Sequence, residues 1–238
     1  MKEILECCGM SDSHPISTPT LANKHLVKLK SPEISAKSYQ RALGTLMYPM
    51  LGTHPDLSYA IATLGCHAAN PGPDHQRALK CIFRYLRATS SKQLVFGQGT
   101  LSGSTLFGYA DADWASDVND HKSTSGYMFK LAGTAVSWSS KKQTSIALSS
   151  IKVEYITRAH AAKEAIWLRQ LLSELGLDMS FPTALHIDNQ LAIAITRNPE
   201  FHDRTKHIDV HYYFLRQVVE DKLIKLEYIP LGTKWLTL

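Results

Sequence analysis

Two acidic residues at the end of an apolar stretch are the first candidates for chemistry. Residues 106–114 read L-F-G-Y-A-D-A-D-W, a run of aromatic and apolar residues that is typical of a β-strand. Side chains alternate between the two faces of a strand, so Asp111 and Asp113 are predicted to point the same way. Carboxylates on one face of a buried strand are costly unless a cation neutralises them. A site for a hard cation such as Mg²⁺ is one interpretation, and a polar strand end leading into a turn is the other.

Two further acids fall where they could join this pair. Glu154 lies near the start of a long predicted helix, and Asp188 follows a short predicted strand at the edge where open α/β sheets bind ligands. If the first and fourth strands are neighbours, Asp111, Glu154 and Asp188 meet at one end of the sheet. Taken singly, Glu154 is better explained as a solvated helix residue and Asp188 as a helix N-cap.

Such a cluster of acids would have a specific chemistry. Three or four carboxylates around two Mg²⁺ ions, about 4 Å apart, form a site that cleaves phosphodiesters. One metal lowers the pKa of an attacking water, and the other stabilises the leaving oxygen. The order of the acids along the chain, rather than any one of them, therefore indicates metal-dependent cleavage.

The elements that would position these acids are predicted from periodicity and from breaker residues. The predicted strands cover residues 106–114, 126–131, 135–139, 184–187 and 224–229. The predicted helices that follow the first strand cover residues 150–175, 191–196 and 207–222. Three strands joined by short loops indicate an antiparallel meander, and the alternation that follows predicts a mixed sheet with helices packed on it.

The first half of the chain is predicted to be mainly helical. Residues 1–38 are predicted to be weakly structured, although residues 1–8 could form one or two helical turns. Turn-forming Ser, Pro, Thr and Asn follow those residues. Helices are predicted at residues 39–48, 57–67 and 74–88, the last with Asp74 as its N-cap. Residues 89–105, rich in Ser, Gly, Thr and Gln, indicate a linker with one short strand at 94–96 and a domain boundary.

A row of cations lies on the third of these helices. It consists of Arg77, Lys80, Arg84 and Arg87, whose spacing places them on one helix face. Such a row is a candidate surface for the phosphates of a nucleic acid. A solvated helix face explains the same pattern equally well.

Composition narrows the class of protein. The chain has 238 residues, of which 44% are hydrophobic and 20% charged, as in globular proteins of one large or two small domains. A net charge of +5 permits a polyanionic partner without requiring one. The four cysteines form no C-x-x-C pair, so reduced thiols are expected. Neither a membrane span nor a signal peptide is recognised, which predicts no membrane partner and a cytosolic or nuclear protein.

The motifs that surround the acids resemble those of one known family. They read G-Y-A-D-A-D-W-A-S-D at 108–117, K-S-T-S-G-Y at 122–127, S-W-S-S-K-K-Q at 137–143, V-E-Y at 153–155, A-A-K-E-A-I-W-L-R at 161–169, D-N-Q-L-A-I at 188–193 and R-T-K-H-I-D-V at 204–210. The chain is similar to the C-terminal part of a copia-type long-terminal-repeat retrotransposon polyprotein. Its second half resembles the ribonuclease H domain, and residues 39–97 resemble the segment that joins reverse transcriptase to it.

The resemblance implies a fold and an activity. The fold is ribonuclease-H-like, an α/β fold in which a mixed five-stranded sheet with flanking helices follows a small, mainly helical segment. The activity is Mg²⁺-dependent endonucleolytic cleavage of the RNA strand of RNA–DNA hybrids, with two Mg²⁺ ions that Mn²⁺ could replace. The implied partners are the hybrid and the reverse transcriptase part of the same polyprotein, in a cytoplasmic virus-like particle or in the nucleus.

The resemblance also implies roles for individual residues. Asp111, Glu154 and Asp188 match the catalytic, metal-binding carboxylates, and Asp113 is interpreted as a structural neighbour in the motif. Lys141 and Lys142 are candidate phosphate contacts; an ordinary basic hairpin end is the alternative.

The predicted domain organisation follows from these matches. A weakly structured segment covers residues 1–38, and a helical connection segment with its linker covers residues 39–105. A ribonuclease-H-like domain covers residues 106–238 and is predicted to lack the last helix of the family. The polymerase motif Y-x-D-D does not occur before residue 100, so no polymerase activity is expected of this chain alone.

Departures from the family pattern leave alternatives open. The family's last helix opens with L-A-D and supplies a fourth metal-binding carboxylate, whereas residues 230–238 read P-L-G-T-K-W-L-T-L without an acid. An out-of-frame reading of that helix is one hypothesis, which the nucleotide sequence tests. Asp209 is either a substitute ligand or a structural part of the K-H-I-D motif; His207, two residues earlier, cannot share its helix face. The alternative functions are a degenerate remnant that binds nucleic acid without cleaving it, and a scaffold protein.

Overall fold

The computed structural model describes residues 1–20, 26–97, 105–113, 117, 119–144, 149–188 and 209–230. The chain divides into two units, formed mainly by residues 1–94 and by residues 95–237. Each unit has its own cluster of buried apolar side chains. The part of the chain that is described contains no helix long and apolar enough to span a membrane.

The first unit is helical. Its helices are α1 (Lys2–Cys7), α2 (Ala36–Gly52), α3 (Ser58–Gly65) and α4 (Pro73–Ala88). The three helices predicted from periodicity are therefore confirmed, with boundaries that differ by a few residues, as is usual at helix ends. The α1 helix lies within the segment predicted to be weakly structured, and its Leu5 belongs to the apolar core of the unit.

The start of α4 differs from the prediction. Its N-cap is Gly72, which has an extended backbone, and Pro73 occupies the first helical position. Proline fits there because the first N–H groups of a helix have no partner within the helix. Asp74 consequently lies inside the first turn, where its carboxylate pairs with Arg77 at 3.0 Å. The assignment of Asp74 as the N-cap was wrong.

A buried histidine makes the stability of the first unit depend on pH. His75 is buried, stacks on His67 with a centroid separation of 4.2 Å, and accepts a hydrogen bond from the Gly72 N–H at its Nδ1. Burial lowers the pKa of His75 below its ordinary value of 6.5. The unfolded chain therefore binds a proton more readily than the folded unit, and stability rises with pH. The contribution is fully present above pH 6.5 and is lost as the pH falls through the lowered pKa.

We expect His75→Gln to make the first unit less sensitive to acid, because glutamine still accepts from Gly72 but does not titrate. Urea unfolding at about pH 7.5 and about pH 5.5 should be followed by far-UV circular dichroism and by tryptophan fluorescence. All four tryptophans lie in residues 95–237, so fluorescence reports the second unit. His14→Gln, at an exposed site, is the control. An equal loss of stability at low pH in wild type and His75→Gln would contradict the assignment.

The second unit is a mixed five-stranded sheet with helices. Its strands are β1 (Phe107–Asp113), β2 (Thr124–Leu131), β3 (Thr134–Lys142), β4 (Thr183–Ile187) and β5 (Ile224–Tyr228). The strand order is β3-β2-β1-β4-β5, with β1 antiparallel to β2 and parallel to β4, and β4 parallel to β5. The predicted mixed sheet is confirmed. The first and fourth strands are neighbours, which was the condition for the predicted acids to meet. Residues 94–96 form no strand, so that prediction was wrong; three apolar residues without a paired neighbour do not make one.

In the described part of the chain, two helices cover one face of this sheet. They are α5 (Ser150–Glu174) and α6 (Asp209–Glu220). A helix was also predicted at 191–196, which lies outside the described residues. The core beneath α5 and α6 contains Ala110, Phe129 and Leu185 from the sheet. Because side chains alternate along β1, Ala110 faces this core while Asp111 faces the opposite side.

Candidate functional site

Matching acids stand at the carboxyl ends of β1 and β4. In the parallel pairing of these strands Tyr109 lies opposite His186. Asp111 follows two residues later on β1, and Asp188 directly follows the last residue of β4. Continued by two residues, the register sets Asp111 and Asp188 level with each other and on the same face. Neighbouring strands lie about 4.8 Å apart, so each carboxylate lies in the electrostatic field of the other. The register thus brings together two of the three predicted acids.

The electrostatics of Asp111 show an excess of negative charge. Asp111 lies at the exposed end of β1, yet the protein around it removes enough water to raise the pKa of its carboxyl. The charge of Asp188 raises this pKa further, and the charges of Asp113 and Glu154 add to the effect. The N–H of Ala112 donates to Asp111 Oδ1 at 2.7 Å and lowers the pKa. Glu154 is therefore within the field of the same group of acids.

These residues fit a divalent cation by their chemistry. The side chains of Asp111, Asp113, Glu154 and Asp188 all offer carboxylate oxygens, the ligands that Mg²⁺ prefers. A cation among them would favour the ionised form of Asp111, which its surroundings disfavour. Across the described ranges, no three His, Cys, Asp or Glu side chains already stand as a set of metal ligands.

Glu154 lies near the start of α5, directly after the first helical turn. Ser149 caps the helix, and its hydroxyl accepts a hydrogen bond from the N–H of Lys152 at 3.3 Å. A Ser at this position satisfies one of the N–H groups that a helix start leaves without a partner. Glu154 follows two residues later, so the cap determines where the helix, and with it this carboxylate, begins.

A buried polar network holds the start of α5 against the sheet. Gln143, just after β3, donates from Nε2 to Ser125 Oγ at 2.7 Å and to the Val153 carbonyl at 3.2 Å. The hydroxyls of Ser125 and Thr157 share a hydrogen bond of 2.6 Å, and Thr157 Oγ1 donates to the Val153 carbonyl at 2.9 Å. Because Glu154 directly follows Val153, the network positions the backbone that carries it. Sequence reasoning recognised Gln143 only as the end of a motif, because its partners are distant in the chain.

We expect Gln143→Ala to destabilise the second unit by about 1–3 kcal/mol, because it removes bonds to two buried groups. Gln170→Ala is a matched control: Gln170 is exposed and donates one hydrogen bond to Glu174 on α5. Its loss should cost less than about 0.5 kcal/mol. The measurement is urea unfolding followed by tryptophan fluorescence. Equal effects of the two substitutions would show that the buried network does not hold α5.

Glu154 has a cationic partner that sequence reasoning missed. Arg158, one helical turn further along α5, donates from Nη2 to Glu154 Oε2. The spacing of four residues is readable from the sequence and permits such a pair on any helix. The burial of Arg158 is not readable in that way, because it depends on the packing of α5 on the sheet.

The predicted phosphate contacts differ in their surroundings. Lys141 is exposed near the end of β3, whereas Lys142 is half-buried and pairs with Asp117. On α4, Arg77 and Lys80 are exposed.

The other two cations of α4 contact the backbone of the N-terminal segment. Arg84 Nε donates to the His14 carbonyl at 2.6 Å, and Arg87 Nη1 donates to the Ser13 carbonyl. Of the four cations predicted to form a row on this helix, two are therefore exposed and two hold the backbone of the N-terminal segment.

The remaining candidates are only partly described. Asp113 is the last residue of β1 and lies on the same face as Asp111. Asp209 begins α6, but its side chain lies outside the described part of the structure, as does all of His207. Their roles stay predictions.

Known proteins resemble this chain over almost its whole length. No family model matches it. It is 39% identical over 233 residues to the retrovirus-related Pol polyprotein from transposon TNT 1-94 of Nicotiana tabacum, which covers 95% of this chain and 17% of that protein. The corresponding polyprotein from transposon RE2 of Arabidopsis thaliana is 36% identical, over 95% of this chain and 16% of its own length. Over 95% of its length, the chain is homologous to one segment of these retrotransposon Pol polyproteins.

This Pol polyprotein segment also resembles a shorter protein and a solved structure. It is 49% identical over 131 residues to secreted RxLR effector protein 161 of Plasmopara viticola, a match that spans 55% of this chain and 90% of that protein. Its structure is similar to a foamy viral protease-reverse transcriptase solved in complex with an RNA/DNA hybrid. The TM-score is 0.51 at 14% identity, over 84% of this chain and 25% of that one. The mixed five-stranded sheet with flanking helices that the family resemblance implies is confirmed.

Proposed function

We propose that this Pol polyprotein segment is a ribonuclease H domain that cleaves the RNA strand of RNA–DNA hybrids. The observation that supports the proposal is the parallel pairing of β1 with β4, whose register, continued by two residues, sets Asp111 level with Asp188. The charges of Asp188 and Glu154 both act on Asp111. The segment spans 16–17% of the polyproteins that it matches, so the activity is proposed for this part only.

In the proposed mechanism, Asp111, Glu154 and Asp188 would hold divalent metal. Mg²⁺ bound there, or Mn²⁺ in its place, would supply an activated water and charge stabilisation for the leaving oxygen. The chain's own residues do the positioning: the Ala112 N–H orients the Asp111 carboxylate, and the Gln143 network holds the start of α5 at Val153, next to Glu154. The exposure of Asp111 leaves this end of the sheet accessible to a phosphodiester backbone.

Contacts to the hybrid backbone are proposed for the exposed cations. Lys141 is the stronger candidate of its pair, because Lys142 would have to leave Asp117. On the first unit, Lys80 and Arg77 are the better candidates, because Arg84 and Arg87 are engaged by backbone carbonyls. The pair of Arg77 with Asp74 is exposed to water, unlike the half-buried pair of Lys142 with Asp117. Such contacts read phosphates and not sequence, so cleavage without sequence preference is expected.

The wider context is part of the proposal. The reverse transcriptase part of the same polyprotein would be the partner that supplies additional hybrid binding. The site of action would be a cytoplasmic virus-like particle or the nucleus.

The proposed function is tested by incubating the chain with a labelled RNA strand in three forms: single-stranded, paired with RNA and paired with DNA. We expect cleavage of the RNA–DNA hybrid alone, in Mg²⁺ or Mn²⁺, and none in EDTA. A gel-shift measurement on the same hybrid separates binding from cleavage. Binding without cleavage in either metal would contradict the proposal and support a degenerate remnant that only binds nucleic acid.

A further inference from the structure

We propose that Arg158 is an internal competitor of the metal at Glu154: its guanidinium holds this carboxylate in the metal-free protein, and a divalent cation binds by displacing it. The inference rests on the proposed function, because it takes Glu154 to be a metal ligand. It assigns to Arg158 the role of setting the metal affinity of the site.

The first observation is the burial of the ion pair. The side chain of Arg158 is 3% exposed and that of Glu154 is 18% exposed, and Nη2 donates to Oε2. An exposed pair at this spacing on a helix contributes little, because water screens it. A pair shielded from water interacts more strongly and is costly to break on one side only. Glu154 is therefore held by its partner in the protein without metal.

The second observation is that Arg158 lies in the field of the same acids as the proposed metal. The charge of Asp188 acts on the Arg158 guanidinium as well as on Asp111. The guanidinium carbon also lies 5.8 Å from the centre of the Tyr155 ring. A positive charge paired with Glu154 is thus already present in the field of these acids.

The third observation concerns what keeps Arg158 in this place. Its Nη1 is buried without a hydrogen-bond partner among the residues that the structure describes. A buried N–H group left in this way is unfavourable. The attraction to the carboxylates offsets that cost, so the position of the guanidinium depends on the acids and not on a full set of hydrogen bonds.

Competition follows from charge and from lone pairs. An oxygen that accepts from a guanidinium offers less to a metal, and two cations in one field repel each other. A bound metal therefore either displaces Arg158 from Glu154 or is repelled by its charge. Both effects lower the affinity of the site for the metal. By linkage, whatever weakens the hold of Arg158 on Glu154 strengthens metal binding by the same free energy.

The test is calorimetric titration of Mn²⁺ into the whole chain without nucleic acid. Arg158→Met removes the charge and keeps an apolar side chain of similar length, which suits a buried site. We expect it to bind Mn²⁺ at least about fivefold more tightly than wild type. Lys163→Met is the matched control: Lys163 is an exposed cation on the same helix, and its Nζ lies 5.7 Å from the centre of the Phe214 ring. The Mn²⁺ affinity of Lys163→Met should stay within about twofold of wild type.

A second variant protects the test against misfolding. Arg158→Lys keeps a cation, and hence the buried charge balance, but lacks the planar fork that grips a carboxylate. We expect its Mn²⁺ affinity to fall between those of wild type and Arg158→Met. The Glu154→Gln/Arg158→Met double variant should not show the tighter Mn²⁺ binding of Arg158→Met, because it lacks the Glu154 carboxylate that would bind the metal.

The outcomes separate this inference from the proposed function. Unchanged or weaker Mn²⁺ binding in both Arg158 variants, with hybrid cleavage by wild type, overturns the competition and leaves the ribonuclease intact; Arg158 would then position Glu154. Equal gains in Arg158→Met and Lys163→Met also overturn it, since net charge alone would explain them. Absence of Mn²⁺ binding in every variant, with no hybrid cleavage by wild type, overturns both.

Discussion

Asp111→Asn should abolish cleavage of the RNA–DNA hybrid, with a loss in rate of about a thousandfold or more. A carboxylate ligand contributes several kcal/mol of charge stabilisation at a catalytic metal, and every 1.36 kcal/mol is a factor of ten in rate. A neutral amide replaces the anion without a change of shape. Cleavage of labelled hybrid under single-turnover conditions measures the loss.

The matched control for this substitution is Asp113→Asn, on the same face of the same strand. Asp113 is interpreted as structural, so its substitution should leave the rate within about tenfold of wild type. Equal losses in the two variants would give Asp113 a share of the metal, and an unaffected rate in Asp111→Asn would refute the proposed site.

The fold of Asp111→Asn should be at least as stable as wild type when no metal is bound. The folded pKa of Asp111 is raised above its ordinary value of 3.8, by burial first and then by neighbouring carboxylates. The folded protein therefore holds this proton more tightly, so the stability contribution is present below pH 3.8 and is lost as the pH rises through the raised pKa. At neutral pH the ionised carboxylate opposes folding, and asparagine removes that opposition. A thermal melt in EDTA shows whether lost cleavage reflects lost chemistry or lost structure.

Phe129→Ala should destabilise the second unit by about 3–5 kcal/mol, the usual effect of removing a buried aromatic ring. Phe129 is 0% exposed and belongs to the core between the sheet and its helices. Its ring fills the space that a side chain at position 108 would take: a Cβ on Gly108 would lie 2.6 Å from Phe129 Cδ1. The glycine and the phenylalanine are thus fitted to each other across β1 and β2.

Urea unfolding followed by tryptophan fluorescence measures this loss, because all four tryptophans lie in the second unit. Phe181→Ala is the control, at a side chain that is 78% exposed, and should change stability by no more than about 0.5 kcal/mol. A small effect of Phe129→Ala would mean that α5 and α6 do not depend on this ring for their packing.

Local patterns in the sequence were enough to predict most of the elements. Periodicity predicted α2, α3, α4 and α5, and apolar runs predicted all five strands of the described sheet. Such predictions succeed because helix and strand periods and breaker residues act within a few positions of the chain. Such predictions fail where two local signals compete. Pro73 takes the first position of α4, so Asp74 is not its N-cap.

The order of the acids along the chain was also visible in the sequence. Whether they lie close together in space depends on the order of the strands in the sheet. That β1 lies between β2 and β4, in parallel register with the latter, is a contact between residues more than seventy positions apart. Nothing local specifies such a pairing; it is decided by which arrangement of strands and helices buries the common core.

The sequence by itself therefore determined the identity of the candidate ligands, the elements that carry them and the family resemblance. Only the tertiary structure decided that Gln143 reaches Ser125 and Val153, and that Arg158 is buried against Glu154. The physical reason is that burial and long-range hydrogen bonds arise when separate segments pack together. A lysine or arginine on a helix carries the same letters in the sequence whether water or a carboxylate surrounds its charge.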